Sequence, residues 1–265
     1  MRTIPVIIFF CFSSLSLSAQ ETFQPRPMNS GLQVGLIYDR EVASDIRLHT
    51  NGFAFALNFG RIKTYYKTKY YQFEIGELKH PKEFRNPFSG NGNPRGSGSS
   101  YIFGKRNNLY VIRAGLGTKR YFSEKAKKRG IAVGASYEFG PTLGLLKPYY
   151  LTLRYRADAP NSDEIEVTEA YSESNHDLFL DHGAIRGAAG FTRGFSDLKI
   201  RPGIHAKGGV HFALGAFDEV VKAFEAGFMF DWFFTEVPIM VPLENNENKS
   251  YFLNLYLTLQ FGKRW

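Results

Sequence analysis

The sequence predicts an all-β protein: a transmembrane, antiparallel, up-and-down β-barrel of eight strands, with ten as the alternative count. Three observations predict it. Many stretches alternate between large apolar residues and small or polar ones, the period-two signature of strands with two unlike faces. The links between them are alternately short and long, as periplasmic turns and external loops are in outer-membrane barrels. The first residues read as an export signal.

Composition sets the bounds. The 265 residues carry 33 Lys+Arg and 25 Asp+Glu, a formal net charge of +8, with 43% hydrophobic residues, 25 Phe, 15 Tyr and one Cys. That is too apolar and aromatic for a disordered chain. One cysteine excludes a disulfide scaffold and a four-cysteine zinc site. The mean hydropathy of -0.26 argues against a bundle of membrane helices. It does not argue against a barrel, which hides its apolar residues in alternation.

Arg2, the apolar run Ile4 to Phe12 and the small, polar run Ser13 to Gln20 form a three-part secretory signal. The apolar run of about nine residues is far short of the roughly 20 a membrane helix needs. Cleavage after Ser18 or Ala19 is expected, giving residues 1–19 as signal peptide and 20–265 as a single outer-membrane β-barrel domain. Cys11 follows Phe9 and Phe10 rather than the small residues a lipidation site needs. Losing Arg2 lowers the formal charge from +8 to +7.

The expected strands follow in order. At 31–39, Leu32, Val34, Leu36 and Tyr38 share a face; at 51–60, Phe53, Phe55, Leu57 and Phe59 do. Tyr71, Phe73 and Ile75 mark 67–77, and Tyr110, Ile112, Ala114 and Leu116 mark 108–118. Ile131, Val133, Ala135, Tyr137 and Phe139 open a longer run that extends past Pro141 towards Tyr155. Ile200, Ile204, Ala206, Val210 and Phe212 mark 199–213, and Phe224, Ala226, Phe228, Phe230 and Trp232 mark 222–234. The last run is the cleanest: Tyr251, Leu253, Leu255, Leu257, Leu259 and Phe261. Short links fall near 61–66, 119–129 and 214–221, long ones near 40–50, 78–107, 156–198 and 235–250. Ten strands result if 148–156 and 183–195 form strands of their own.

The less apolar face is mostly Gly, Ala, Ser, Asn and Gln, which suits the crowded interior of a narrow barrel. A soluble barrel such as a lipocalin would carry Lys and Glu there. Tyr and Phe gather at strand ends, including Tyr66, Tyr70, Tyr121, Tyr149, Tyr150 and Phe233, as in the aromatic girdles of membrane barrels. Leu257, Leu259, Phe261 and the terminal Trp265 fit the C-terminal signal that barrels present to the outer-membrane assembly machinery. The expected location is therefore the cell outer membrane of a Gram-negative bacterium.

The stretches LKHPKE at 78–83, GKRNNLY at 104–110, YEFGPTLGLLKPYY at 137–150 and IRPGIHAKG at 200–208 resemble uncharacterised outer-membrane β-barrel proteins of Bacteroidota. The resemblance covers most of the mature chain. It implies fold and location, and no reaction.

No motif for catalysis, cofactor binding or metal binding survives inspection, so none of these is expected. Gly134-Ala-Ser-Tyr-Glu138 lacks the second glycine of a nucleophile elbow. Some eight-stranded barrels are lipid-modifying enzymes with Ser and His near the outer rim. Here Ser44, His49, His80, Ser89, His176 and His182 fall in or near expected external loops, with His80 and His182 the best candidates. The interior face collects Glu74, Arg113, Glu138, Arg201, His205, Lys207, His211, Glu225 and Asp231. These read as a salt-bridged plug or, alternatively, a narrow ion path. His205 and His211, six residues apart on a strand, stand roughly 20 Å apart at about 3.3 Å per residue and cannot share one metal without a bend.

Charge is uneven elsewhere. The loop 156–181 is acidic, with Asp158, Asp163, Glu164, Glu166, Glu169, Glu173, Asp177 and Asp181. Lys119, Arg120, Lys125, Lys127, Lys128 and Arg129 form a basic periplasmic turn, suited to anionic headgroups or an envelope protein partner. Export excludes nucleic acid. The expected partners are outer-membrane lipid and lipopolysaccharide, and the assembly machinery during biogenesis. The expected role is structural or interactive, as an accessory subunit of an assembly or secretion complex. A narrow channel and a lipid-modifying enzyme are the alternatives.

Overall fold

The computed structural model describes residues 38–64, 66–87, 99–122, 131–155, 165–214, 219–242 and 248–265. The signal segment, nearly all of 31–39, Ser89, and the basic residues Lys125, Lys127, Lys128 and Arg129 lie outside them.

In chain order the strands are β1 (Arg40–His49), β2 (Gly52–Thr64), β3 (Lys67–Leu78), the two-residue β4 (Arg85–Asn86) and β5 (Tyr101–Ile102), then β6 (Asn107–Tyr121) and β7 (Ile131–Pro148). There follow β8 (Tyr150–Tyr155), β9 (Ile165–Ala170), a 3-10 turn (Glu173–Asn175), the one-turn helix α1 (His176–Phe179) and β10 (Ile185–Ala188). The chain ends with β11 (Lys199–Leu214), β12 (Val220–Phe233) and β13 (Tyr251–Arg264).

Eight of these close a barrel in the order β1-β13-β12-β11-β7-β6-β3-β2. Every neighbouring pair is antiparallel, and β1 closes the ring against both β2 and β13. Closure gives each strand two hydrogen-bonded neighbours, which is what hydrocarbon demands of a spanning backbone. The segments that made ten strands an alternative do form β8 and β10. They lie in a separate sheet of order β10-β8-β9, past the end of the barrel strand β7.

The first strand departs from expectation. Residues 40–50, expected as an external loop, are β1 and the start of a tight turn. Glu41, Ala43, Asp45, Arg47 and His49 point inward and are buried, while Ile46 and Leu48 point outward. A strand with four ionisable residues on one face reads as a solvated loop. Here that face is the barrel's interior, where each charge needs a partner.

Parity along the other strands is clear. On β2, Phe53, Phe55, Leu57 and Phe59 are 43–51% exposed, and Ala54, Ala56 and Asn58 between them are buried. On β13, Tyr251 to Phe261 are 49–63% exposed at every second position. An apolar surface of this extent would be a liability in water and is at home against lipid. The barrel strands have 10 to 18 residues, enough to cross a bilayer when tilted. Tyr70 and Phe233 belong to the interior, not to an aromatic girdle, since both are buried. Room for Tyr70 comes from Gly117, where a Cβ would stand 2.2 Å from the tyrosine ring.

Among the described residues no helix is long and apolar enough to cross a membrane.

Candidate functional site

The lumen is the most elaborate arrangement of chemistry in the chain. It is built in tiers by inward residues of all eight barrel strands. At the end nearest the C-terminus, Glu41 accepts from Lys119 Nζ at 3.2 Å and from Arg264 Nε at 2.9 Å. Lys119 also donates to Gln260 Oε1 at 2.6 Å, and Gln260 donates to Asp45 at 2.7 Å. The next tier joins Gln72 to Asp45 and Asn58, at 3.2 and 2.6 Å, and Arg47 Nε to Thr258 at 2.9 Å. The Arg47 guanidinium lies 5.0 Å from the centroid of Tyr256. Tyr256 donates to Glu225 at 2.7 Å, and the other Glu225 oxygen meets His211 Nδ1 at 3.0 Å.

The central tier is the densest. Glu74 is paired with Arg47, Arg113 and Lys207. Lys207 also meets Glu138 at 2.8 Å, and Glu138 meets His205 Nε2 at 3.1 Å. His205 Nδ1 lies 2.9 Å from Thr142 Oγ1. Arg113 grips Asp231 with two parallel bonds of 2.7 and 2.8 Å, the fork geometry that suits guanidinium to carboxylate. Charges taken out of water are costly when unpaired. Here six carboxylates and five Lys/Arg side chains are buried in the barrel interior, and each has an opposite charge or a polar hydrogen at hand.

The opposite mouth is closed by different means. Leu78, Leu109, Val111, Leu146, Phe233 and Phe252 line inward positions towards this end of their strands. The segment after β12 folds across them and adds Val237, Ile239 and Met240. It is tied down by its backbone: Arg106 N and Asn107 N donate to Ile239 O at 2.8 and 3.0 Å, and Val241 N donates to Gly104 O at 2.8 Å. Asn107 Nδ2 adds a bond of 2.6 Å to Pro238 O. Above this lid, Tyr101, Leu151, Leu153, Phe179, Ile185 and Val241 form a second apolar cluster that roots the β10-β8-β9 sheet.

The interior residues read from sequence therefore fall into several groups. Glu74, Arg113, Lys207, Glu138, His205 and Asp231 share the central tier. His211 and Glu225 pair nearer the C-terminal end of the lumen, away from His205. Arg201 stands at the external end of β11, half-buried, with no partner for Nε among the described residues. The basic turn needs correction. Lys119 is inside the barrel and 3% exposed, because it keeps the inward parity of Arg113 along β6. Arg120 is exposed. Glu41, Asp45, Arg47 and Arg264 escaped the sequence reading, whereas Asn58, Gln72, Thr258 and Gln260 stand on the less apolar face, as its alternation implies, without being named as part of the network. Parity was the available signal, since each stands an even number of positions from an inward neighbour on its own strand. Of the assembly residues, Leu257, Leu259 and Phe261 line one outward file of β13, and Trp265 ends the chain half-exposed.

The candidate catalytic histidines are separated. Ser44 and His49 lie on β1, on opposite faces. His182 Nδ1 meets Tyr101 Oη at 3.0 Å and its ring stacks on Phe103 at 4.0 Å. His176 Nδ1 meets Tyr171 Oη at 3.0 Å. His80 Nδ1 accepts from Lys82 N at 3.2 Å. Burial holds its pKa below the ordinary histidine value, with Glu83 opposing and Lys82 and Lys249 reinforcing the shift. Among the described residues no cluster of three or more His, Cys, Asp or Glu could hold a metal ion.

No protein-family model matches the chain, and no curated protein does. Five chains of solved structures match. Neisserial surface protein A (NspA) shows 7% identity and a TM-score of 0.37, over 85% of this chain and 96% of that one. The N-terminal β-barrel domain of Pseudomonas aeruginosa OprF shows 11% identity and a TM-score of 0.34, over 85% and 96%. A major outer membrane protein from Thermus thermophilus shows 9% identity and a TM-score of 0.35, over 84% and 98%. Likeness at this level bears no weight on function. The closed, all-antiparallel, eight-stranded order is a property of this chain itself.

Proposed function

We propose that the protein is a small integral outer-membrane β-barrel with a structural or protein-interaction role, and that it is neither an enzyme nor a transporter. The observation that carries this reading is the contrast between a lipid-suited exterior and a lumen filled by paired charges under an apolar lid. A barrel of eight strands has an interior just wide enough for its own side chains, and here they use it. What remains free to act is the external sheet and the outer surface.

The N-terminal segment 1–19 would direct export, and the resemblance to Bacteroidota barrels supports an outer membrane of that kind. The outward file Leu257, Leu259 and Phe261, with Trp265, would address the chain to the assembly machinery. Its surroundings would be outer-membrane lipid and lipopolysaccharide. An accessory place in a larger assembly or secretion complex is supported by the ordered external sheet, whose edge strands β9 and β10 are held on a packed apolar base.

One observation favours the narrow-channel alternative. Both ring nitrogens of His49 and both amide atoms of Asn254 are buried without a partner among the described residues. Such groups call for water. Planar-bilayer recording separates the readings: the structural role expects silence, and unitary steps from the purified protein would overturn it. A boiled and unboiled pair on a gel tests the barrel itself, which should shift in mobility on heating. Solubility without detergent would defeat the membrane assignment.

A further inference from the structure

On three adjacent strands the outer face turns from apolar to polar at one level. Going outward, β3 presents Phe73 and Ile75, then Glu77; β6 presents Ile112 and Tyr110, then Asn108; β7 presents Leu143 and Leu145, then Lys147. The register aligns them, with Glu77 opposite Tyr110, Tyr110 opposite Leu145, and Asn108 opposite Lys147. This row is where the hydrocarbon boundary falls on that side of the barrel.

A cavity of about 610 Å³ opens at this row, within the size range of small-molecule sites. Its lower wall is the barrel's outer face, including Phe53 and Tyr110, and external loops overhang it. The cavity therefore lies between the barrel's outer face and the loops at this end. Its lining is strongly basic: Lys79, Arg85, Lys105, Lys147 and Arg193 against Glu77 alone. Lys105 is paired with Glu83 at 2.6 Å and Lys79 with Glu77 at 3.6 Å. Arg85, Lys147 and Arg193 have no carboxylate partner among the described residues; Lys147 is buried with its ammonium on Phe191 O, so the two exposed arginines remain for an anion.

The overhanging loop is built to stay there. Gly194 adopts a φ of +87°, and a Cβ on it would stand 2.9 Å from Pro148 O. That close approach folds the loop back onto the end of β7. Lys147 Nζ donates to Phe191 O and sits 4.2 and 4.6 Å from the ring centroids of Phe191 and Phe195. Phe191 packs edge-on to Tyr110, yet it is 67% exposed, and Phe195 is 46% exposed. Two exposed phenylalanines beside unpaired arginines, at the level of the hydrocarbon boundary, make an amphipathic rim. Apolar rings enter the acyl layer and cations meet headgroups.

We propose that this lateral pocket binds a phosphate group of an outer-leaflet glycolipid, with Arg85 and Arg193 as the phosphate contacts, Lys147 holding the loop from beneath, and Phe191 and Phe195 seated among the acyl chains. The inference rests on the membrane reading above and deepens it by naming a lipid class and its site.

The test uses the full chain, folded in detergent, with binding followed by native mass spectrometry. The probes are diphosphoryl lipid A, its dephosphorylated form, and inorganic phosphate. The diphosphoryl lipid should stay bound, and loss of its phosphates should weaken binding by about tenfold or more, the worth of one charge-assisted contact. The exposed pair Arg85→Gln with Arg193→Gln should weaken it similarly while leaving the heat shift on a gel intact. Phe191→Ser should weaken the lipid and leave phosphate unaffected. Equal binding of the two lipid forms, or full binding by the arginine variant, would overturn the proposal. Competition by inorganic phosphate at equal strength would overturn its lipid part. A heat-shifting barrel that retains no lipid defeats this inference alone, whereas a chain that needs no detergent defeats the membrane reading as well.

Discussion

The two ends of the lumen are closed by opposite chemistry. From the C-terminal end to the central tier, closure is ionic: Glu41, Asp45, Glu74, Glu138, Glu225 and Asp231 are threaded among Arg47, Arg113, Lys119, Lys207 and Arg264. At the opposite mouth it is apolar, with Leu, Val and Phe packed under the segment that follows β12. Ionic closure is exacting, because removing one partner strands the others in a low-dielectric interior. Apolar closure is graded, because lost contact and cavity volume set its cost. The barrel thus combines a part that specifies strand register with a part that tolerates variation.

This contrast can be broken at its strongest point first. Glu74 faces three cations, so Glu74→Ala should destabilise the barrel by about 3–5 kcal/mol. A lower temperature for the heat-induced gel shift would report it. Adding Arg113→Met should worsen matters, because Asp231 would then lose its fork. A mild effect of Glu74→Ala would mean that water reaches the tier and the ionic half is less sealed than its geometry implies. In the apolar half, Phe233→Ala should cost about 3 kcal/mol from the lost ring and the cavity left behind. Bilayer conductance should stay at baseline, since the tiers below still fill the lumen. Steps in this variant alone would show the lid to be the sole seal. At the small end, Lys263 and Glu219 pair on the surface at 2.8 Å, both more than half exposed. Lys263→Ala should leave the transition temperature unchanged within error, because an exposed pair is screened by water.

Legibility in the sequence followed the face that a residue occupies. β13 and β2 were plain, because large apolar residues at every second position have no other use in an exported chain. β1 was missed although it pairs with both of them. Its outward residues are Val42, Ser44, Ile46 and Leu48, modest beside the phenylalanines of β2, and its inward face is charged. Its justification lies far along the chain: Arg47 bonds to Thr258, and Glu41 to Arg264. Lys119 shows the same limit in a single residue. Seen beside Arg120 and the lysines that follow, it belonged to a basic turn. Its parity with Arg113 sends it inward to Glu41 and Gln260. Phe233 fails in the other direction, as an apparent girdle residue that caps the lumen.

The lateral pocket was beyond sequence reading for a related reason. Its cations come from segments as distant as Lys79 and Arg193, and only Lys147 lies on a barrel strand. Nothing local relates them until the loop around Gly194 folds back over the end of β7.

By itself the sequence determined the class of the fold, the count of eight barrel strands and the apolar character of the outer surface. Those depend on period-two alternation, which is a local property of the chain. Tertiary structure decided where the first strand lies, which charges meet and what closes the mouth. It also decided that two further strands leave the barrel for an external sheet. Those depend on closure, which brings strands from opposite ends of the chain into register. Only then does each inward charge acquire the partner that makes its burial tolerable.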